Sequence, residues 1–308
     1  MTDDPEDRAT PGAGAPIAEH RTRTRETIGI LLTNRLSAFG LVVMGLLIFT
    51  AVFGSMVAPY DPTSVDIPAR LSGPSLDHPF GTDNLGRDVF SRVLAGARVS
   101  FQVGIVAVGI SLTMGVVTGL VAGFYSGAAD AVLMRAMDML FAFPAILLAI
   151  AVLAVLGPGI TNAMIAIGIV YIPIFARITR ASTLVVKEEL YVRAARSVGA
   201  SDLRILRRHI LPNILAPIIV QTSLSLAFAI LAEAALSFLG LGVQRPTPAW
   251  GRMLAEGRDF VNQAPWMGIF PGIAVFVTVL AFNFVGDGLR DALDPKQKSV
   301  IESRGRAV

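Results

Sequence analysis

The sequence predicts an all-α integral membrane protein with six transmembrane helices. Three observations carry this prediction. The 308-residue chain is 53% hydrophobic and only 16% charged, with a mean hydropathy of +0.64. Its apolar residues fall in uncharged blocks at 36–60, 99–129, 139–176, 209–232 and 260–286. A helix needs roughly 20 apolar residues to cross about 30 Å of hydrocarbon, and each block supplies them. The 139–176 block is long enough for two crossings, and Gly157-Pro158-Gly159 divides it at a turn. Helices satisfy their own backbone groups in lipid, so a helical bundle is the expected architecture.

The elements follow in chain order. Residues 1–35 are a polar N-terminal tail rich in Asp, Arg, Pro, Gly and Thr, expected to be largely disordered. The apolar run 36–60 holds the first span, about 37–58, and is too long for a cleaved signal-peptide core. The loop 61–97 carries an amphipathic helix over 83–97, with Leu85, Val89, Val93 and Ala97 on one face and Arg87, Asp88 and Arg92 as its polar residues. A core over 98–287 then holds five spans, at 100–124, 131–156, 161–179, 213–237 and 267–287. Residues 288–308 form a C-terminal tail.

Within these spans several residues stand out. Gly115, Gly119 and Gly123 repeat at every fourth position, a spacing that lets helix backbones approach closely in lipid. Arg135 and Asp138 are three apart and are expected to pair on one helix face. Glu233 lies deep in the fifth span, where an acid must face protein or water; it either makes a structural hydrogen bond or lines a translocation path. Gln221, Ser225 and Asn283 are further candidates for a polar path, and Pro144, Pro173, Pro217 and Pro271 for kinks. Between the last two spans, Thr247-Pro248 reads as the start of a helix on which Trp250, Met253 and Leu254 fall together. Both helices outside the spans are expected at the membrane interface, where Trp250 and Trp266 would be comfortable.

The charges set an orientation. With the N-terminus inside, the two tails and the 177–212 loop carry eighteen of the 26 Lys and Arg, and the two opposite loops carry seven. Cytoplasmic loops retain basic residues, so both termini are placed in the cytoplasm. The net charge of +3 is too mild to suggest nucleic acid, and the lack of cysteine excludes disulfides and thiol chemistry.

The strip "YVRAARSVGASDLRILRRHILP", 191–212, therefore faces the cytoplasm and reads as two short helices. Tyr191, Ala194, Ala195 and Val198 form one stripe, opposite Arg193 and Arg196. Gly199 ends the first helix, Ser201 and Asp202 begin the second, Leu203, Leu206 and Ile210 line it, and Pro212 breaks it. Such a strip could lie on anionic lipid. Two adjacent alanines give little grip on a bilayer, however, and allow close approach of another protein.

The spacing A-A-x-x-x-G followed twelve residues later by L-P, here Ala194, Ala195, Gly199, Leu211 and Pro212, resembles the coupling loop of ABC importer permeases. The chain departs from that pattern at Arg193, where the family has Glu. "HPFGTDNLGRDVFSRVLAGARVS" (78–100), "FPAILLAIAVLAVLGPG" (143–159), "LSFLGLGVQRPTPAWG" (236–251) and "GDGLRDALDP" (286–295) are similar to the second, shorter membrane subunit of the dipeptide/oligopeptide/nickel importers. The resemblance spans about residues 30–296 and implies the type I ABC importer permease fold in a bacterial plasma membrane. It implies four partners besides the bilayer: a homologous permease, two ABC ATPase subunits and an extracytoplasmic substrate-binding protein. It also implies a coupling loop over 181–212, in which Glu189, Tyr191, Ala194, Ala195, Gly199, Ala200, Leu203, Leu211 and Pro212 engage the ATPase. The path or gate would draw on Gln221, Ser225, Glu233, Asn283 and Trp250.

No catalytic, cofactor or metal residue is expected. The only lysines are Lys187, Lys296 and Lys298, and none lies in a phosphate-binding loop. ATP and Mg²⁺ would therefore be bound by the ATPase partners. An intramembrane hydrolase would need a base at depth, and His20, His78 and His209 all lie outside the spans or at their edge. A self-contained channel or ion-coupled carrier would need more intramembrane charge than the chain has. The solute is expected to be a short peptide, with nickel chelates and glutathione as alternatives within the same family.

Overall fold

The computed structural model describes Gly29, Leu31 and residues 34–293. The expectations for most of the 1–35 tail and for the 288–308 tail beyond Leu293 lie outside the described residues. Helix α1, Arg35–Val57, is capped by Asn34, whose side-chain oxygen accepts from the Leu36 N–H at 3.0 Å. It buries little besides Ser37, Gly40, Met44 and Gly54, and exposes Phe39, Val42, Leu46 and Phe53. An apolar helix with so narrow a buried face is built for lipid.

Helix α2, Val89–Tyr125, has 37 residues. At 1.5 Å per residue it is about 55 Å long, far more than the hydrocarbon requires. The excess is built into a cap formed with residues 59–88 and 239–265. Here the structure corrects the expected amphipathic helix over 83–97. Helix starts only at Val89, because Asp88 takes the N-cap position and accepts from Ser91 N and Oγ, both at 2.7 Å. Leu85 and Arg87 sit in the turn before it, where Gly86, at φ +76°, lies against the Asp66 carbonyl. That turn excludes a side chain and a helix alike.

Helices α3, Gly127–Phe141, and α4, Ala145–Leu156, replace the expected third span over 131–156. They meet at 92°. Pro144 disfavours helical geometry at Phe143 and brings no N–H to continue the ladder. The bend also redirects Asp138. It pairs with Arg177 of α5, Ile160–Val186, at 2.8 Å, and not with Arg135. Asp130 binds Arg180 through both carboxylate oxygens, at 2.5 and 2.6 Å.

Helix α5 packs along α2. A Cβ on Gly115 would come within 2.5 Å of Phe175 Cβ, and one on Gly123 within 2.8 Å of Thr183 Cβ. On Gly119 it would collide with the Ala176 carbonyl oxygen. The seam therefore lies inside this chain and needs all three glycines. Lys187 closes it, donating to Gly123 O at 2.9 Å and Ser126 Oγ at 2.6 Å, a cation at the carbonyl end of α2.

The rest of the chain comprises α6, Leu190–Ser197; α7, Asp202–Ile205; α8, Leu215–Phe238; α9, Trp250–Arg258; and α10, Trp266–Leu293. From Asp202 to Phe238 the path is helical throughout. Pro212 loosens it and does not break it. The ladder widens to a π turn over Leu206–Ile210, where Leu211 N–H reaches Leu206 O, and tightens to a 3₁₀ turn over Leu211–Ile214. The Asn213 side chain donates to His209 O at 2.6 Å, satisfying a carbonyl in this disturbed stretch. Among the described residues five helical runs are long and apolar enough to cross a membrane, and there are six if the bent α3–α4 pair is counted as one span.

The cap is pinned by buried ion pairs. Arg87 binds Asp83 at 2.6 Å and Glu256 at 3.1 Å, and Arg92 reaches Glu256 at 3.1 Å. Arg245 completes the group at 2.7 Å from Glu256. Helix α9 begins at Trp250 with Ala249 as its cap, so Thr247 and Pro248 lie outside it, contrary to the sequence expectation. Both tryptophans are anchored in protein: Trp250 donates to Val93 O and Trp266 to Thr82 O, each at 2.9 Å.

Candidate functional site: the helical loop between α5 and α8

The loop opens at Glu189, the N-cap residue of α6, whose side chain makes no cap hydrogen bond. Helix α6 ends in a Schellman motif: Ala200 N–H bonds Ala195 O and Gly199 N–H bonds Arg196 O, both at 3.0 Å. Gly199 has φ +79°, a conformation that strains any residue with a Cβ. This one position sets the angle between α6 and α7. Nothing lies within 4 Å of a Cβ built there, so its constraint is conformational and not one of space.

Two faces result. On the inner face Val192, Ile205, Ile210, Ile214 and Ile218 are buried together with Phe124 from the end of α2. Ala195 and Ala200 pack against them, and the Arg196 guanidinium sits 5.3 Å from the Phe124 ring. On the outer face Leu190 is 81% exposed, Val198 83% and Leu203 64%, with Tyr191 and Ala194 beside them. These exposed apolar side chains leave the outer face open to contact by another molecule.

The expected stripe is therefore divided. Tyr191, Ala194 and Val198 face outward, and Ala195 faces the bundle. Of the second stripe Ile210 is buried, Leu206 half-buried and Leu203 exposed. Leu211 packs at the edge of the inner cluster and Pro212 is exposed. Arg193, at the position where the resemblance has Glu, pairs with Glu188 at 3.3 Å on the surface. The sequence reading missed Leu190 on the outer face and Val192, Ile205 and Phe124 beneath it. The apolar i, i+3 pair Val192 and Ala195 was the available signal.

The path candidates separate differently. Glu233 is fully buried: Oε1 accepts from Ser237 Oγ at 2.7 Å and Oε2 from Ser100 Oγ at 3.2 Å. Both carboxylate oxygens are thus engaged by hydroxyls of this chain. Ser225 and Trp250 are likewise buried within the chain. Gln221 is half-buried and donates to Ser225 at 3.1 Å, and Asn283 is half-buried.

Comparison with known proteins adds to this geometry. Residues 115–299 match the family described as binding-protein-dependent transport system inner membrane component. Residues 22–74 match the N-terminal TM domain of oligopeptide transport permease C. The chain is 48% identical over 275 residues to the dipeptide transport system permease protein DppC of Alkalihalophilus pseudofirmus, covering 89% of this chain and 90% of that one. It is 54% identical over 254 residues to the glutathione transport system permease protein GsiD of Escherichia coli, covering 82% and 84%. Its fold is similar to an inward-facing MetNI methionine ABC transporter chain, with a TM-score of 0.54 at 17% identity over 66% of this chain and 96% of that chain.

Proposed function

The chain belongs to the binding-protein-dependent transport system inner membrane components and is a multi-pass permease subunit of an ABC importer, and from that membership we propose that it carries short peptides. The observation that carries the mechanism is the two-faced loop. Its outer face, Leu190, Tyr191, Ala194, Val198 and Leu203, docks in a cleft of a cytoplasmic ATPase subunit. Its inner face fixes α6 to the ends of α2 and α8 through Phe124 and Ile218. A displacement of the docked helix is therefore passed to two long helices as a rigid movement.

The remaining parts of the reading follow. A homologous permease completes the translocation path, a binding protein delivers solute from outside, and two ATPase subunits hold ATP and Mg²⁺. Both termini lie in the cytoplasm, as the basic residues favour. ATP drives the cycle by binding the inward- and outward-facing states with different affinity. A second reading of the cargo, glutathione, is favoured by the 54% identity to a glutathione permease. Glutathione is itself a tripeptide, so one polar path could serve both. ATPase stimulation of the reconstituted complex by dipeptides, longer peptides and glutathione decides between them.

The experiment that tests the coupling role is Gly199→Asp. At φ +79° the new side chain is strained, and its charge lands beside the docking face. The variant is expected to reach the membrane while uptake and ligand-stimulated ATP hydrolysis are lost. Normal coupled uptake by that variant would overturn the assignment.

A further inference from the structure

A groove of about 900 Å³ runs between α1, α2, α8 and α10. Its wall includes Ile48, Val116, Leu211, Leu215, Leu226 and Leu289. The hydroxyls that reach it are already committed to backbone carbonyls: Thr113 to Gly109 O at 2.7 Å, Thr222 to Ile218 O at 2.8 Å and Ser223 to Phe282 O at 3.0 Å. A peptide in this groove would find no partner for its amides, which is costly. The lining suits hydrocarbon.

At the loop end of the groove the chemistry inverts. Arg204, Arg207 and Arg208 lie on the helical path from Asp202, directly before Leu211 and Leu215 of the groove wall. Arg204, Arg207 and Arg208, with Ser201 and Leu203, line a recess of about 280 Å³. All three arginines are exposed, and among the described residues none forms an ion pair. A basic recess at the cytoplasmic end of an apolar groove between membrane helices matches the two parts of an anionic phospholipid.

We propose that a phospholipid with an anionic headgroup occupies this site, with an acyl chain in the groove and its phosphate against Arg204, Arg207 and Arg208. The inference rests on the orientation proposed above, which puts the recess at the anionic inner leaflet. It gives these arginines a role distinct from the docking face, which shares only Leu203 with the recess. Lipid bound here braces the start of α8 against α1 and α10.

The test uses the whole complex, reconstituted in vesicles of equal parts phosphatidylglycerol and phosphatidylcholine. Trace amounts of either lipid carry a photoactivatable group on the acyl chain, and labelled residues are mapped after irradiation. The phosphatidylglycerol probe is expected to label the groove wall between Leu211 and Leu226 about tenfold more than the phosphatidylcholine probe, an excess three basic residues can supply. Replacing Arg204, Arg207 and Arg208 together by Gln should reduce that excess to parity. Equal labelling of the unaltered complex by both probes would overturn the proposal, whatever the variant does. So would a groove that cross-links to the partner permease and takes up neither probe, or a variant that keeps the excess and loses only its ATPase subunits. Copurifying ATPase is scored on the same samples, so a complex that retains it but shows no preference overturns this inference and leaves the importer reading standing.

Discussion

Glu256 concentrates the physics of the cap in one side chain. Burial acts to raise its carboxyl, but Arg92, Arg245 and Arg87 together outweigh that and hold it below the ordinary value of 4.5. A carboxyl so held stabilises the fold above its unfolded value and loses that contribution as pH falls through the lowered one. The cap is therefore expected to keep its stability from pH 7 to 5 and to weaken below about 4.5, read from thermal unfolding of the detergent-solubilised complex. Glu256→Gln leaves Arg87 and Arg92 buried with only Asp83 opposite them. Breaking such a group costs about 3–5 kcal/mol, so a clear fall in the unfolding midpoint at pH 7 is expected. Both tryptophans belong to the same assembly, with their N–H groups bonded to carbonyls of the chain.

Helix α6 has one face against the bundle and one exposed face, the latter proposed above for docking. Val192 faces the bundle and Leu190 and Val198 face away, so the fold and the proposed docking would load different residues. Leu190→Ser with Val198→Ser should leave the unfolding midpoint within measurement error, because exposed side chains away from special features shift stability by about 0.5 kcal/mol or less. The same double variant should lose ATPase subunits on copurification. Val192→Ala should do the reverse at first: a buried aliphatic truncated to Ala costs about 1–3 kcal/mol and loosens α6 on Phe124. Retention of the ATPase by the outer-face variant would break the division between the two faces.

Over the whole molecule, two ends with opposite designs are joined by the α2–α5 seam. The cap end is held by buried ion pairs, and the loop end by an aliphatic cluster and a single Schellman turn. The chain contains no cysteine, which makes its orientation directly testable. Leu76→Cys, at a fully exposed cap position, should react with a membrane-impermeant thiol reagent in intact cells. Ser197→Cys, exposed at the end of α6, should react only after the membrane is opened. The opposite pattern would invert the assembly proposed for both ends.

The sequence by itself determined the membrane class, the expected spans other than the third, which is broken at 92°, and the two-helix strip after the fourth. Each of these follows from hydropathy, glycine spacing and turn residues acting over neighbouring positions. Gly115, Gly119 and Gly123 announced a close seam, and Gly199 a helix end, because backbone geometry at those points is local. The tertiary structure alone decided that the seam is met by α5, that Asp138 turns to Arg177, and that Glu233 is closed in by Ser100 and Ser237. It also decided which side of α6 is covered. A helical wheel orders residues around an axis, but the neighbour that buries one side, here Phe124 and the isoleucines of the path into α8, comes from distant chain and leaves no trace in local periodicity.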